Sequence, residues 1–280
     1  MKRIALFPNI KRDVGLSSTK EVARILAPLG VTVLVSEEWK ELLSDVSALV
    51  EFVPEAALFT ESDCLVTLGG DGTILSVARR AAENDLPIFG INLGHVGFMA
   101  ALEKKEIHKI SRLVTGKVLT SSRMLLSCFV NGEEKLCALN EFVIAPEKGF
   151  HIVELSLYTG KRKLCDFRAD GLIFNTPTGS TGYSFSAGGA VMDADFDAIG
   201  VKAISSYLLI GAHHMVFSPE TVFTAENCRS EGSKITVCAD GREEVTLSKG
   251  DTVKICRSEK RVRLITLKKQ SNQEVFFRKF

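Results

Sequence analysis

Five residues that follow a short apolar run, Gly69-Gly70-Asp71-Gly72-Thr73, carry the sharpest chemical signal in the sequence. Glycines let a backbone turn tightly and bring its N–H groups close to an anion, and the N-terminus of a following helix adds partial positive charge. Gly69, Gly70, Gly72 and Thr73 therefore predict a phosphate-binding loop. A carboxylate inside such a loop would repel the ligand unless it handles a metal or a proton. Asp71 is thus either a catalytic group or only the cap of the helix.

The spacing of this loop separates it from two common nucleotide-binding motifs. The chain has no GxxxxGK[ST] sequence, so it contains no P-loop. Ile74 and Leu75 stand where a GxGxxG fingerprint needs its later residues, so the loop is not a dinucleotide fingerprint of the oxidoreductase type.

A second cluster runs from Asp170 to Ser184 and includes the apolar run Leu172–Phe174. It is rich in Ser and Thr hydroxyls and glycines, and it holds the ring of Tyr183. Short hydrogen-bonding groups, open backbone and one aromatic ring suit a sugar and an aromatic base. The alternative is an ordinary surface loop. The cluster is not a nucleophile elbow, because Thr178 stands where GxSxG requires glycine.

The remaining polar candidates are more isolated. Asn140-Glu141 stands between two apolar runs, so both side chains could face one cleft, although a half-exposed strand often contains such a pair. His151, Arg168, His213 and His214 show no metal-ligand spacing, and structural roles are the default for them. The acidic run 193–197 resembles the start of a calcium loop, but Ala198 occupies the position of the required glycine.

The elements that must position these residues differ between the two halves of the chain. Up to residue 116, short apolar runs alternate with helical patterns, which predicts βαβ units and a parallel sheet. The predicted strands are 4–7, 31–35, 64–68 and 87–91. The predicted helices are one capped by Ser17 or Ser18 and stopped by Gly30, one over 73–82 and one over 103–113. Beyond residue 117, turn signals at Asn131-Gly132, Thr159-Gly160 and Asp240-Gly241 predict antiparallel hairpins.

Composition excludes several classes of protein. Lys+Arg 35 against Asp+Glu 34 gives a net charge of +1, so neither nucleic-acid binding nor membrane-surface binding is predicted. The seven cysteines are scattered without a CxxC pair, which favours free thiols in a reducing compartment over disulfides or zinc. Neither a signal peptide nor a membrane helix is recognisable. We expect a soluble cytoplasmic protein.

Together, the motifs resemble those of the bacterial type of NAD kinase, the enzyme family that phosphorylates NAD to NADP. The resemblance covers nearly the whole chain, from Ile4 to about Ile265. The matching segments, in order, are Gly69–Thr73, Gly90–Phe98, Arg123-Met124, Leu139–Glu141, Asp170–Tyr183 and Ser186–Gly189. The first segment alone is weak, because lipid kinases of the diacylglycerol type and phosphofructokinases carry similar loops. Its combination with Asn140-Glu141 and 176–183 is specific.

The resemblance implies a fold, a set of ligands and roles for individual residues. The implied fold is an N-terminal Rossmann-like α/β domain followed by an antiparallel, sandwich-like β domain, which agrees with the division that the residue patterns predict (1–116 and 117–265). The polar tail, 266–280, contains the apolar residues 275–277, and we expect this apolar end to pack back on the first domain. Mg²⁺ and ATP are the implied cofactor and phosphoryl donor, and a homodimer or homotetramer is the implied assembly. In the family the dinucleotide lies in the cleft between the domains.

By the same resemblance, Asp71 would take the proton from the 2′-hydroxyl of the adenosine ribose, and Asp71 and Gly72 would both contact NAD. Asn140 and Glu141 would bind the adenosine region, and Asp170 would meet the nicotinamide end. The residues implied to surround the adenosine are Thr181, Gly182, Tyr183, Ser184, Phe185 and Ser186. His151 lies where the family often has a basic residue, and Arg168 lies where members that select NAD over NADH carry arginine.

Three positions depart from the family pattern. Gly182 replaces the usual alanine before the tyrosine, Tyr207 replaces a histidine in the alignment with the fewest gaps, and Arg242 replaces the usual glutamine. Two other functions compete with the NAD kinase hypothesis. A lipid kinase would share the glycine–aspartate loop but would leave Asn140-Glu141 unexplained, and an inactive dinucleotide-binding regulator would not need Asp71.

Overall fold

The structure, a computed structural model, describes residues 1–94, 97–148, 151–207, 213–227, 234–248 and 250–267. Within these ranges the chain forms two compact units. The first comprises residues 1–122 and 261–267, and the second comprises residues 123–260. Most of the predicted tail, 268–280, lies outside the described residues, as do His95 and residues 208–209.

The first unit is a parallel sheet with helices, as predicted. Its strands are β1 (Arg3–Pro8), β2 (Thr32–Ser36), β3 (Glu51–Val53), β4 (Cys64–Gly69), β5 (Ile88–Asn92) and the short β6 (Leu102–Glu103). Its α-helices are α1 (Ser17–Leu26), α2 (Ala57–Thr60), α3 (Asp71–Glu83) and α4 (Arg112–Thr115). The strand order is β5-β4-β1-β2-β3, with all neighbours parallel. The strands are largely buried, which explains why they appear in the sequence as continuous apolar runs.

The order of these strands identifies where a ligand could bind. From β1 the chain moves outward through β2 and β3, and β4 then pairs with the other side of β1. In open α/β sheets, ligands bind beyond the carboxyl ends of strands at such a reversal. Residues 69–73 form the junction between the end of β4 and the start of α3, so the topology places the glycine–aspartate loop at this point.

Two predictions about helices in this unit were wrong in detail. Neither Ser17 nor Ser18 caps α1, because the buried Asp13 carboxylate accepts the N–H groups of Ser18 (2.8 Å) and Thr19 (2.9 Å) instead. The helix predicted over 103–113 is a 3₁₀ helix over Lys104–Ser111 that continues into α4. Its apolar periodicity could not distinguish the two helix types, which differ by one residue in hydrogen-bond spacing.

The second unit consists of antiparallel β structure, also as predicted. Its strands are β7 (Leu119–Val130), β8 (Glu133–Ala138), β9 (Glu141–Pro146), β10 (Val153–Thr159), β11 (Arg162–Ala169), β12 (Gly171–Asn175), β13 (Ile199–Ile204), β14 (Met215–Phe217), β15 (Phe223–Asn227), β16 (Ile235–Ala239), β17 (Glu243–Leu247) and β18 (Thr252–Thr266). One sheet has the order β14-β13-β12-β9-β16-β17. The strands β11, β10, β15 and β18 pair in that order, β7 pairs with β18 and with β8, and both sets of strands contribute to one apolar core. The start of β7, up to Ser122, and the end of β18, from Arg261, belong to the first unit.

The predicted hairpin turns have the backbone conformation that their residues favour. Asn131 and Gly132 both have positive φ angles, 51° and 91°, as do Asp240 and Gly241, 49° and 67°. Two consecutive positive φ angles fit the right-handed twist of the flanking strands, and Asn-Gly and Asp-Gly adopt them at little cost.

Candidate active site

Asp71 is the first residue of α3, and its carboxylate does not cap that helix. Gly70 occupies the N-cap position. The Asp71 oxygens instead accept backbone N–H groups from a different loop, Oδ2 from Phe98 at 2.8 Å and Oδ1 from Met99 at 3.2 Å. The simple capping interpretation is therefore wrong. The half-buried carboxylate joins the two glycine-containing segments that the sequence singled out.

Close packing explains the glycines around this carboxylate. A Cβ atom at Gly97 would lie 2.3 Å from Asp71 Oδ1, and one at Gly69 would lie 2.1 Å from Thr73 Oγ1. At Gly70, by contrast, the nearest atom would be Asn92 Oδ1 at 3.9 Å, so the backbone there is open. The loop thus combines a tightly held carboxylate with an accessible stretch of backbone.

Two residues outside the predicted set support this loop. Asn9 lies just after β1 and donates from Nδ2 to Thr73 Oγ1 (3.3 Å). Asn92, buried at the end of β5, donates to Glu103 Oε2 (2.8 Å) and accepts the N–H of Gly94 (3.2 Å). Burial raises the pKa of Glu103, the Asn92 amide opposes that rise, and the Asp71 charge adds to it. The sequence did offer one signal for these two residues, because each is an asparagine that directly follows an apolar run, 4–8 for Asn9 and 87–91 for Asn92.

In the second unit, Glu141 is the most perturbed acid among the predicted residues. Its side chain is buried, and Oε2 has no hydrogen-bond partner among the described residues. Burial is the main cause that raises the pKa of Glu141 to about 8, and the charge of Asp240 adds to the rise. A hydrogen bond from the Tyr183 backbone N–H lowers the pKa in part. A Cβ atom at Gly182 would lie 2.8 Å from Oε2, so the carboxylate occupies space that the usual alanine would fill.

The loop 176–186 packs directly on Asn140. A Cβ atom at Gly179 would lie 2.1 Å from the Asn140 carbonyl oxygen, so no side chain fits there. Ser180 accepts the Met192 N–H at 2.9 Å, and Thr181 donates to the Thr178 carbonyl at 3.4 Å. This loop is therefore an ordered, close-packed structure.

The predicted adenosine-binding residues of this loop divide into exposed and buried groups. Tyr183 begins the short α5 (Tyr183–Ser186) and is 45% exposed, so its ring is open to a ligand. Ser184 is fully buried, and its Oγ has no partner among the described residues. Phe185 is half-buried and Ser186 is exposed.

The remaining predicted residues lie at the surface. Asp170 is exposed between β11 and β12, and His151 is exposed two residues before β10. Arg168 is exposed on β11 and pairs with Glu154 at 3.2 Å. These three groups are available for ligand contact, but the structure does not pack them against Glu141 or Asn140 by any hydrogen bond between described residues.

His214 has a structural role, as expected by default. Its Nδ1 accepts the N–H of Ala190 at 3.0 Å, so Nε2 carries the proton that faces Asn175 Oδ1 at 3.3 Å. Burial lowers the pKa of His214, and the charge of Lys202 lowers it further. A neutral imidazole thus links the end of β12 to the loop after Gly189.

The acidic run 193–197 lies near arginines. Burial lowers the pKa of Arg123, and the charges of Asp195 and Asp193 act in the opposite direction and raise it. Asp197 Oδ2 lies 3.7 Å from Arg257 Nη1. Arg123 is buried, with Nε and Nη1 unpartnered among the described residues. The described residues contain no group of three or more His, Cys, Asp or Glu side chains that could hold a metal ion.

Asp240 and Thr176 are two further residues whose roles the sequence did not reveal. Asp240 appeared only as a turn residue, and Thr176 only as one hydroxyl in a polar cluster. Both contact the backbone of residues 139–141. The positive φ of Asp240, 49°, was compatible with a plain turn, so no local signal distinguished its second role.

Comparison with known proteins identifies the family. Residues 4–118 match the ATP-NAD kinase N-terminal domain, and residues 139–267 match the ATP-NAD kinase C-terminal domain. An NAD kinase of Natranaerobius thermophilus is 32% identical over 276 residues, 97% of this chain and 95% of that protein. An NAD kinase of Geobacter sp. strain M21 is 32% identical over 280 residues, covering 98% and 96%.

Solved structures agree with this assignment. An NAD kinase from Archaeoglobus fulgidus in complex with ATP superposes with a TM-score of 0.71 at 26% identity, covering 99% of this chain and 96% of that one. Yeast NADH kinase complexed with NADH shares the fold, with a TM-score of 0.87 at 21% identity and coverage of 100% and 86%. No helix in the described ranges is long and apolar enough to span a membrane. With both family domains matched in order and relatives alike over almost their full lengths, the chain belongs to the NAD kinase family.

Proposed function

We propose that this protein transfers the γ-phosphoryl group of ATP to the 2′-hydroxyl of the adenosine ribose of NAD, which yields NADP. The observation that carries the mechanism is the Asp71 carboxylate, which is turned away from its own helix and held by two amides of another loop. Membership of the NAD kinase family supports the choice of substrates. The lipid-kinase alternative has no comparable support.

Asp71 acts as the general base in this proposal. A ribose hydroxyl is a poor nucleophile, and a carboxylate within hydrogen-bond reach assists by accepting its proton during transfer. Each Asp71 oxygen accepts one backbone N–H and retains further acceptor capacity. The two amides fix the carboxylate in place, so its remaining lone pairs have a defined direction.

The donor phosphates bind the loop formed by Gly69, Gly70, Gly72 and Thr73. The open backbone at Gly70 gives the phosphates room, and the α3 N-terminus favours their charge. Mg²⁺ would be bound by the donor phosphates, and the site fits it, because the backbone at Gly70 is open and the atom nearest to that space, Asn92 Oδ1, is a hard oxygen of the kind that Mg²⁺ prefers. When bound, Mg²⁺ neutralises charge on the transferring group.

NAD binds residues of the second unit. Asn140 and Glu141 contact the adenosine region, and Tyr183 offers its exposed ring to the base. Thr181, Gly182, Ser184, Phe185 and Ser186 surround the adenosine. Asp170 contacts the nicotinamide end, while the surface groups His151 and Arg168 lie near the dinucleotide. The family resemblance supports each assignment. By the same reasoning, the enzyme acts in cytoplasmic NADP biosynthesis as a homodimer or homotetramer.

The experiment that tests this proposal measures NADP formation from NAD, ATP and Mg²⁺ by the wild type and Asp71→Asn. The variant keeps one carbonyl oxygen and the size of the side chain, so kcat should fall by about 10²–10⁴ while KM for NAD changes little. Asp63→Asn is a matched control. Asp63 also accepts two backbone N–H groups, from Lys2 and Arg3, in the same unit.

The outcomes separate the candidate functions. Wild-type turnover with loss in Asp71→Asn but not in Asp63→Asn supports the mechanism. Wild type that binds NAD without forming NADP would instead support the inactive regulator. Equal losses in both aspartate variants would assign Asp71 to folding rather than to proton transfer.

A further inference from the structure

Among the described residues, Asp240 and Thr176 hold the backbone of residues 139–141. The Asp240 carboxylate accepts three consecutive N–H groups, from Leu139 (2.8 Å, to Oδ2), Asn140 (2.8 Å, to Oδ1) and Glu141 (3.0 Å, to Oδ1). No other acid among the described residues is shown holding three consecutive backbone amides. This arrangement occupies both oxygens of Asp240.

The carbonyl groups of the same three residues are also bound. Thr176 donates its hydroxyl to the Leu139 carbonyl at 2.6 Å and its N–H to the Asn140 carbonyl at 2.9 Å. The N–H of Asp240 binds the Glu141 carbonyl at 3.0 Å. All six backbone polar groups of this segment therefore have partners on Asp240 or Thr176, although the segment joins two strands and belongs only partly to a ladder.

This clamp couples the segment to the second polar cluster. The Thr176 hydroxyl also accepts the N–H of Gly179 at 3.1 Å, and Gly179 packs against the Asn140 backbone. A shift of Asn140 would therefore disturb the loop that carries Tyr183. The backbone that carries the Asn140 and Glu141 side chains is therefore held at both its N–H and its carbonyl groups.

We propose that Asp240, together with Thr176, is a positioning residue for the reaction: it fixes the direction of the Asn140 and Glu141 side chains toward NAD without touching the substrate. The inference rests on the proposed function, in which these two residues bind NAD. It goes beyond that function because it assigns the placement of the NAD-binding side chains to Asp240, which does not contact the substrate.

Electrostatics fit a positioning role. Burial raises the pKa of Asp240 to about 6, against the three N–H bonds and the Arg242 charge, which lower it. At neutral pH the group is therefore an ionised acceptor, the form that three donors require. The charge of Asp240 in turn raises the pKa of the neighbouring Glu141 carboxyl.

Steady-state kinetics of Asp240→Asn test the inference. Asparagine offers one acceptor oxygen and an NH₂ group that faces N–H donors, so at least one amide of 139–141 loses its partner. KM for NAD should rise about tenfold or more, with kcat within about threefold of wild type and KM for ATP unchanged, because misplacement weakens positioning rather than chemistry.

Three companion variants keep the test independent of folding. Thr176→Val replaces the hydroxyl with a methyl group and should raise KM for NAD in the same way, whereas Thr176→Ser retains the hydroxyl and should keep the wild-type KM. Asp251→Asn is the matched control. Asp251 accepts the Ser248 N–H (2.8 Å) in another turn of the same unit, and its loss should leave both KM values unchanged.

Asn140→Ala and Glu141→Gln separate the inference from the proposed function. If these two variants leave KM for NAD unchanged, the proposed NAD contacts fail, and the inference fails with them. If they raise it while Asp240→Asn and Thr176→Val do not, the positioning role alone is overturned. The positioning role would also be overturned if Asp240→Asn lowered kcat and raised KM for NAD and for ATP to the same extent, while Thr176→Val behaved like the wild type. If Asp240→Asn does not fold, the comparison of Thr176→Val with Thr176→Ser tests the positioning role instead.

Discussion

The two polar loops of this protein solve different physical problems with similar residues. In the first unit, the loop 69–73 leaves Gly70 open and carries a half-buried carboxylate, which two amides of another loop hold. In the second unit, the loop 176–186 is close-packed, and it covers the buried carboxylate of Glu141. An accessible, oriented acid suits proton transfer, whereas buried polar groups suit recognition, since they are costly to leave without a partner.

The glycines show the same difference. In the first unit the space of a missing Cβ at Gly97 is taken by the end of a side chain, Asp71 Oδ1. In the second the space at Gly179 is taken by main chain, the Asn140 carbonyl. A side chain can rotate away, but a hydrogen-bonded backbone cannot. Substitutions should therefore damage activity in one unit and folding in the other.

The largest effect is expected for Gly179→Ala. Its Cβ would lie 2.1 Å from the Asn140 oxygen and 2.4 Å from the Asn140 carbonyl carbon. Overpacking against backbone should lower the free energy of unfolding by about 3 kcal/mol or more. Denaturant unfolding measures this change, and a variant as stable as the wild type would show that the two segments can separate freely.

Gly97→Ala should damage catalysis while sparing stability. The new methyl group would push the Asp71 carboxylate from its two amides, so kcat should fall by about tenfold or more through misplacement. The free energy of unfolding should change by about 1 kcal/mol or less. Gly94→Ala is the control in the same loop, because its Cβ would meet only the Arg12 guanidinium at 3.3 Å. Equal kcat values for both variants would contradict the comparison.

Glu141→Gln should change the pH dependence of stability. Burial and the Asp240 charge raise the pKa of Glu141 from 4.5 to about 8. The folded protein thus keeps a proton that the unfolded chain releases, so wild-type stability falls as pH rises between about 4.5 and 8. Glutamine does not titrate, so its stability relative to wild type should increase from pH 5 to pH 9, on the order of a few kcal/mol. Thermal melts across this range measure it, and a constant difference would mean that Glu141 is ionised throughout.

The smallest effect is expected for Arg168→Gly. Arg168 is exposed, and its pair with Glu154 contributes little to stability, about 1 kcal/mol or less. If Arg168 favours the oxidised dinucleotide, the variant should raise the ratio of kcat/KM for NADH to that for NAD. Glu154→Gln removes the ion pair but keeps the arginine, so it should leave the ratio unchanged. A ratio equal to that of the wild type in Arg168→Gly would remove this residue from substrate selection.

Much of the fold could be predicted because its signals are local. Apolar runs gave strands β1, β2, β4 and β5 within about one residue. The Asn-Gly and Asp-Gly turns gave hairpins with the expected positive φ angles. The errors came where a distant partner decided the outcome. Asp13 caps α1 from four residues upstream, because a left-handed Leu16 turns the chain back toward it.

The sequence by itself determined the residue types at the site and the two classes of architecture. Spacing, charge and turn chemistry are encoded within a few neighbouring residues, so they can be recognised from the sequence without a structure. Tertiary structure alone decided what the acids do. Asp240 lies about a hundred residues along the chain from the amides that it holds, and the pKa of Glu141 depends on burial created by packing. Desolvation and hydrogen-bond direction arise only when distant segments meet, which is why composition and periodicity could not reveal them.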